Sequence, residues 1–210
     1  MRRPTRSWLG AAGLVLLLSG CGGNDVPGTP IASPPSAVEP TQAPDGSAVP
    51  GSGVPEVENP LDTSGAEARP CELLSDAQVN GLLGTDINKT QEGETGPTCR
   101  WFSYGPQAAS VAVGFPKVTE NGLTAIYRAR GNQYKFFEEM PPVRGYPAVA
   151  WNTSDETVTR GECNVAVGIS DRATLEATVR LSQKNVGVKD PCEAAHQVLD
   201  MVIGNIQGNN

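Results

Sequence analysis

Two neighbouring stretches decide the fold: Thr174-Leu175-Glu176-Ala177-Thr178-Val179-Arg180-Leu181 and, beginning nine residues on, Asp190-Pro191-Cys192-Glu193. In the first, Leu175, Ala177, Val179 and Leu181 alternate with Glu176, Thr178 and Arg180, the period-two pattern of a strand with one apolar face. In the second, Asp190 is a helix cap, Pro191 occupies the first turn and Glu193 completes a capping box. Ala195, Val198, Leu199, Val202, Ile203 and Ile206 then recur at i, i+3, i+4 and i+7, and such a stripe must pack on something. A one-faced strand beside a one-faced helix points to an α+β domain.

Upstream, the spacing predicts further strands over 164–170, 148–153 and 134–139. An earlier pair, 100–104 and 110–115, is split by Gly105-Pro106 in the manner of a hairpin. Ser75-Asp76-Ala77-Gln78 is a capping box opening a short helix that Gly84 ends. Asn121 is placed to cap another, with Leu123, Ile126, Tyr127 and Arg130 on one stripe and Gly131 as its stop. The expected architecture is an antiparallel sheet of about six strands packed against two or three helices. Val111-Ala112-Val113-Gly114-Phe115 echoes Val165-Ala166-Val167-Gly168-Ile169, but five small apolar residues match by chance as readily as by duplication.

The N-terminus carries a different message. Arg2, Arg3 and Arg6 precede an uncharged run from Ser7 to Gly20 centred on Leu14-Val15-Leu16-Leu17-Leu18. That is a secretory signal peptide, with an apolar stretch too short for the roughly 20 residues of a spanning helix. Leu18-Ser19-Gly20-Cys21 matches the bacterial lipobox, so residues 1–20 are expected to be removed and Cys21 to become a lipid-bearing N-terminus. A diacylglyceryl anchor with two chains holds a protein stably at a membrane where one chain does not. The expected location is extracytoplasmic, on the outer face of the cell membrane.

Removing the signal takes away three of the 16 basic residues and no acid, leaving 13 against 23 and a formal charge of −10. Such a balance argues against nucleic acid as a partner and against attachment through a basic patch. Residues 21–60 hold nine prolines and five acids, with no Lys or Arg. This composition reads as a disordered, partly polyproline tether, reaching at most about 120 Å at ~3.1 Å per residue. Residues 61–210 are the right length for one domain with its own core.

Besides Cys21 the chain has Cys71, Cys99, Cys163 and Cys192, an even number with no close Cys-x-x-Cys pair. Two structural disulfides follow, and neither a metal site nor a redox pair is expected. Four cysteines permit three pairings. The shared Pro-Cys-Glu contexts of Cys71 and Cys192, each at a helix start, favour joining those two. Cys99 and Cys163, each leading into a strand, then form the second bridge.

The ordered motifs, namely the lipobox, the Pro-rich tether, Val57-Glu58-Asn59-Pro60-Leu61-Asp62, Pro70-Cys71-Glu72-Leu73-Leu74, Cys99-Arg100-Trp101, Gly145-Tyr146-Pro147-Ala148 and Asp190-Pro191-Cys192, together resemble a known family. They are similar to the actinobacterial lipoproteins grouped as domain of unknown function 3558, over essentially the whole chain after the signal. The resemblance implies a Gram-positive actinobacterial envelope and two bridges. It carries no established catalytic or binding residues.

The search for chemistry finds little. His196 is the single histidine, on the flank of the last helix's apolar stripe, and no Gly-x-Ser-x-Gly elbow surrounds any serine. Glu138-Glu139 and Asp155-Glu156 are the carboxylate pairs to weigh for acid/base work, but adjacent strand residues point to opposite faces and the second pair reads as a solvated turn. All ten aromatics outside the signal lie between Trp101 and Trp151, as core or as the lining of a groove. No cofactor is expected and no catalytic residue is assigned. The sequence therefore favours a noncatalytic module for an envelope ligand or protein partner. The alternatives are a cell-wall hydrolase working through acidic residues, and a structural spacer or assembly protein.

Overall fold

A computed structural model describes residues 48–155 and 157–208. The signal peptide, Cys21, the first part of the tether and Glu156 lie outside them. Seven strands, β1 (Asn88–Glu92), β2 (Thr98–Phe102), β3 (Ser110–Gly114), β4 (Phe136–Val143), β5 (Tyr146–Asn152), β6 (Glu162–Ser170) and β7 (Ala173–Arg180), form one sheet. Its order is β1-β2-β3-β7-β6-β5-β4 with every neighbouring pair antiparallel. The helices are α1 (Ser64–Glu67), α2 (Asp76–Leu83), α3 (Gly122–Ala129), α4 (Thr157–Arg160) and α5 (Pro191–Gly208). The α+β architecture, the antiparallel sheet and two disulfides are as expected, and the sheet has one strand more.

That extra strand is β1, Asn88-Lys89-Thr90-Gln91-Glu92. Every residue in it is exposed, so no apolar alternation marks it. It exists because β2 offers it a complete antiparallel register, Asn88 opposite Phe102 through Glu92 opposite Thr98. The β4–β5 hairpin turns at Arg144-Gly145, both with positive φ (50° and 91°), the conformation of a two-residue type I′ turn whose twist matches its strands.

Alternation sorts the sheet into two faces. Cys99, Trp101, Val111, Val113, Cys163, Val165, Val167, Leu175, Ala177 and Val179 point one way and are buried, under α5 on β6 and β7 and under the Pro70–Glu72 turn on β2. The α5 stripe meets them as anticipated, with Ala195, Val198, Leu199, Val202 and Ile203 fully buried. Asp190 Oδ1 accepts from the Cys192 and Glu193 amides at 2.7 and 3.2 Å, capping the helix. The Glu193 carboxylate instead accepts from Gln197 Nε2 one turn on. At α2 both halves of the Ser75/Gln78 capping box form. Asn121 occupies the cap position of α3 without a side-chain cap bond.

Two expectations are corrected. The disulfides join Cys71 to Cys99 and Cys163 to Cys192, not Cys71 to Cys192 and Cys99 to Cys163. Cys99 on β2 and Cys163 on β6 are three strand spacings apart, roughly 14 Å, beyond the ~7 Å that a bridge tolerates between Cα atoms. Each cysteine pairs instead with the element packed directly on its strand: the short 3₁₀ turn Pro70–Glu72 on β2, and the first turn of α5 on β6.

The second correction concerns the tether. The segment from Ala48 to Pro60 is laid along the domain and does not belong to a free spacer. Gly51 N donates to Thr124 Oγ1 (3.0 Å), Val57 N to Asp171 Oδ1 (2.9 Å) and Arg128 Nη2 to the Ala48 carbonyl (3.2 Å). Val57 is buried against Gly168, and Leu61 N continues the contact to the Ile169 carbonyl. Val54 and Val57 are the apolar residues that make this possible in a stretch otherwise read as proline-rich spacer.

Candidate ligand-binding face

The opposite face of the sheet is only partly covered. α3 and the 48–57 segment lie over its β5–β6 side, where Leu123, Ile126, Val149 and Ala166 make a small second core. Small residues permit the approach, since a Cβ on Gly168 would already touch the Leu123 side chain at 3.0 Å. Around this core stand Tyr127 against Phe137 (5.0 Å between centroids, edge to face) and Tyr134 against Trp151 (4.3 Å, tilted), with the Arg130 guanidinium 4.7 Å above Phe137. Burial, and secondarily the Glu139 carboxylate, push the Tyr127 phenol up to about 12. The indole Nε1 of Trp151 is buried without a hydrogen-bond partner.

The register places the residues beyond that wall in rows crossing the strands. One row runs Thr90, Arg100, Ala112, Thr178, Asn164, Trp151, Phe137 from β1 to β4. The next runs Glu92, Thr98, Gly114, Glu176, Ala166, Val149, Glu139. Thr178 Oγ1 donates to Asn164 Oδ1 (2.7 Å), and Asn164 Nδ2 to the Trp151 carbonyl (3.3 Å), so the floor is hydrogen-bonded across three strands. Glu176 accepts from Thr174 Oγ1 at 3.1 Å, and burial raises its carboxyl to about 7. Tyr134 is raised by its own burial and by the Glu176 charge.

Toward the β1–β2–β3–β7 side the face opens to solvent. A hollow of about 410 Å³ lies there, bounded by Arg100, Phe102, Ser103, Ser110 and Arg180. A smaller one of about 190 Å³, with Asn152, Ser154, Arg160 and Glu162 on its walls, adjoins it across Arg180. Arg100 Nε pairs with Glu92 at 3.3 Å, and Arg180 Nε with Glu162 at 2.9 Å. Phe102 and Tyr104 form an edge-to-face pair (5.3 Å), and Tyr104 is 75% exposed.

The residues weighed from sequence disperse. Glu138 and Glu139 fall on opposite faces, both exposed, and Asp155 is exposed. His196 Nε2 meets the Pro141 carbonyl at 2.9 Å, linking α5 to the β4 edge. The aromatic cluster divides three ways: Trp101 and Phe115 in the main core with Phe136 and Tyr146 packed against it, four rings around α3, and the Phe102–Tyr104 pair at the open face. Arg100, Arg180, Glu176 and Thr178 were not singled out as site residues. Their signal was the strand alternation itself, because an inward Leu175, Ala177 and Val179 puts Glu176, Thr178 and Arg180 side by side on the other face.

Among the described residues no three His, Cys, Asp or Glu side chains are grouped to hold a metal ion. No helix among them is long and apolar enough to cross a membrane. Fold and face define a small disulfide-bonded α+β domain with one sheet face closed by a long helix and the other partly open. The family is shown by a model described as "Protein of unknown function (DUF3558)", which matches residues 16–205; the chain belongs to that family. No curated protein and no solved structure matches it.

Proposed function

We propose that this protein is a noncatalytic binding module of the bacterial cell envelope, held on the outer face of the cytoplasmic membrane by a lipid on Cys21, which takes its ligand on the open part of the sheet. The observation that carries this reading is the open surface of β1, β2, β3 and the end of β7, where arginines, hydroxyls and the Phe102 ring share one hollow and the exposed Tyr104 stands edge to face with Phe102. Ala112, at mid-sheet, keeps solvent exposure there while Val111 and Val113 on the other face are buried. Acid/base hydrolysis is favoured less. Glu92 and Glu162 are held by Arg100 and Arg180, and Glu176 is buried in mid-sheet with the Thr174 hydroxyl as its bond.

The lipobox Leu18-Ser19-Gly20-Cys21 and the two disulfides support export and anchoring. Hydrogen exchange of the full chain in detergent, with and without solubilised envelope from its own cells, tests the binding surface. Protection confined to β1, β2, β3 and the end of β7 is expected. Protection only on other surfaces, or turnover of envelope material, would overturn the reading. Incorporation of a labelled fatty acid, abolished by Cys21→Ala, is expected for the anchor.

A further inference from the structure

We infer that the open face recognises an acidic glycan, laid across the strands along the line Arg100, Arg180, Arg160. This rests on the binding reading above and names the ligand's chemistry. Arg180 borders both hollows, which therefore lie side by side across the sheet. Arg100 on β2 and Arg180 on β7 stand two strand spacings across and two residues along, about 12 Å apart. Arg160 lies one residue before Gly161 at the entry to β6, the strand whose Glu162 faces Arg180. Three guanidinium groups thus line two adjoining hollows in a chain with an excess of acids.

Guanidinium forks match carboxylates in two-point geometry. Repeated cations along a line select a ligand with repeated anions, and the remaining walls select its other features. Ser110 offers a hydroxyl suited to sugar hydroxyls, while Phe102, with Tyr104 edge to face beside it, presents ring surface for the apolar side of a pyranose. A bare polyphosphate would use the arginines and leave the rings idle. The existing partners do not block the site. The Arg100–Glu92 and Arg180–Glu162 pairs are largely open to solvent, and such pairs are weak, so a ligand carboxylate competes with them readily.

The test is calorimetric titration of the full chain in a neutral detergent with a hexameric uronic-acid oligosaccharide, its neutral hexose counterpart, and vesicles of phosphatidylglycerol. The acidic hexamer is expected to bind at least tenfold more tightly than the neutral one. Raising salt should weaken it, and Arg100→Gln with Arg180→Gln should lower affinity at least tenfold at an unchanged melting temperature. Glu92→Gln, which removes the competing carboxylate, is expected to strengthen binding. Equal binding of the neutral hexamer, indifference to these substitutions, or a preference for the vesicles would overturn the inference. Protection of the same face by solubilised envelope in those cases would leave the broader binding reading standing and remove only the acidic glycan.

Discussion

Replacing Glu176 by Gln should stabilise the protein at alkaline pH and hardly at all at acidic pH. Glu176 sits in the middle of β7, with Gly114 and Ala166 as its strand neighbours and Tyr134 close enough to feel its charge. No cation among these neighbours offsets its ionisation, and one hydroxyl bond from Thr174 only partly compensates the loss of water. Its carboxyl therefore rises from 4.5 to about 7 in the folded protein. Between those two values the folded state holds a proton that the unfolded chain has released. Stability is greatest below about pH 4.5 and falls as pH climbs toward 7, beyond which the loss is complete. Two and a half units at about 1.4 kcal/mol each give a ceiling of about 3 kcal/mol at pH 8 and under about 1 kcal/mol at pH 5. Gln retains an acceptor for Thr174 and carries no charge. At about 2–4 °C per kcal/mol for a domain of this size, E176Q should melt roughly 6–12 °C above wild type at pH 8 and nearly with it at pH 5. Thermal melts at both values decide the matter. A pH-independent difference, or a destabilised variant at pH 8, would show that Glu176 is hydrated or paired in the folded state and refute the reasoning.

Three further outcomes follow from the packing. Non-reducing peptide mapping should recover Cys71 linked to Cys99 and Cys163 to Cys192. Removing the first pair as Cys71→Ala/Cys99→Ala should lower the urea-derived stability by about 3–4 kcal/mol, the chain-entropy value for a loop of 28 residues. Gly122→Ala should lose about 2–4 kcal/mol in the same assay, because φ is +49° and the new Cβ would lie 2.3 Å from the Asp171 carbonyl oxygen, whose residue also holds the Val57 amide. Leu199→Ala, under the centre of the sheet, should lose about 2–5 kcal/mol, whereas Ser75→Ala at the α2 cap should lose only about 1 kcal/mol.

What was legible in the sequence is what one-sided burial writes into it. The α5 stripe and the alternation of β7 appear because each element has one face in the core and one outside. Five polar residues formed β1 without leaving any such trace, since an edge strand exposed on both faces is specified by its neighbour's free edge and not by its own side chains. The disulfide pairing was hidden for a related reason. Flanking residues report local structure, while pairing depends on strand order. Once β7 and β3 separate β6 from β2, Cys99 and Cys163 are too far apart whatever their contexts. The start of the folded segment was misplaced because proline content was read as spacer, although Gly51 and Val57 each have a side chain of the domain to bond with.

The partly open face follows from lengths. Seven strands at about 4.8 Å span roughly 29 Å, and one side is closed by α5, 18 residues and about 27 Å long, over β7, β6 and β4, with the Pro70–Glu72 turn over β1 and β2. α3 has eight residues, about 12 Å, and a helix is only about 10 Å across, so it shelters part of β6 and β7 and leaves β1, β2 and β3 largely open. A sheet with one face unsheltered would ordinarily carry a uniformly polar surface there. This one instead carries the small residues Ala108, Ala109 and Ser110 among Arg100, Phe102 and Arg180 at the open end, and a buried carboxyl at Glu176 toward the sheltered side. Small residues there leave a hollow where longer polar side chains would fill it. Glu176 lies on the sheltered side of that boundary, where burial and not openness raises its carboxyl. Filling the hollow with Ala109→Gln should therefore act on ligand protection of β2 and β3 far more than on the main core, whose side chains all point the other way.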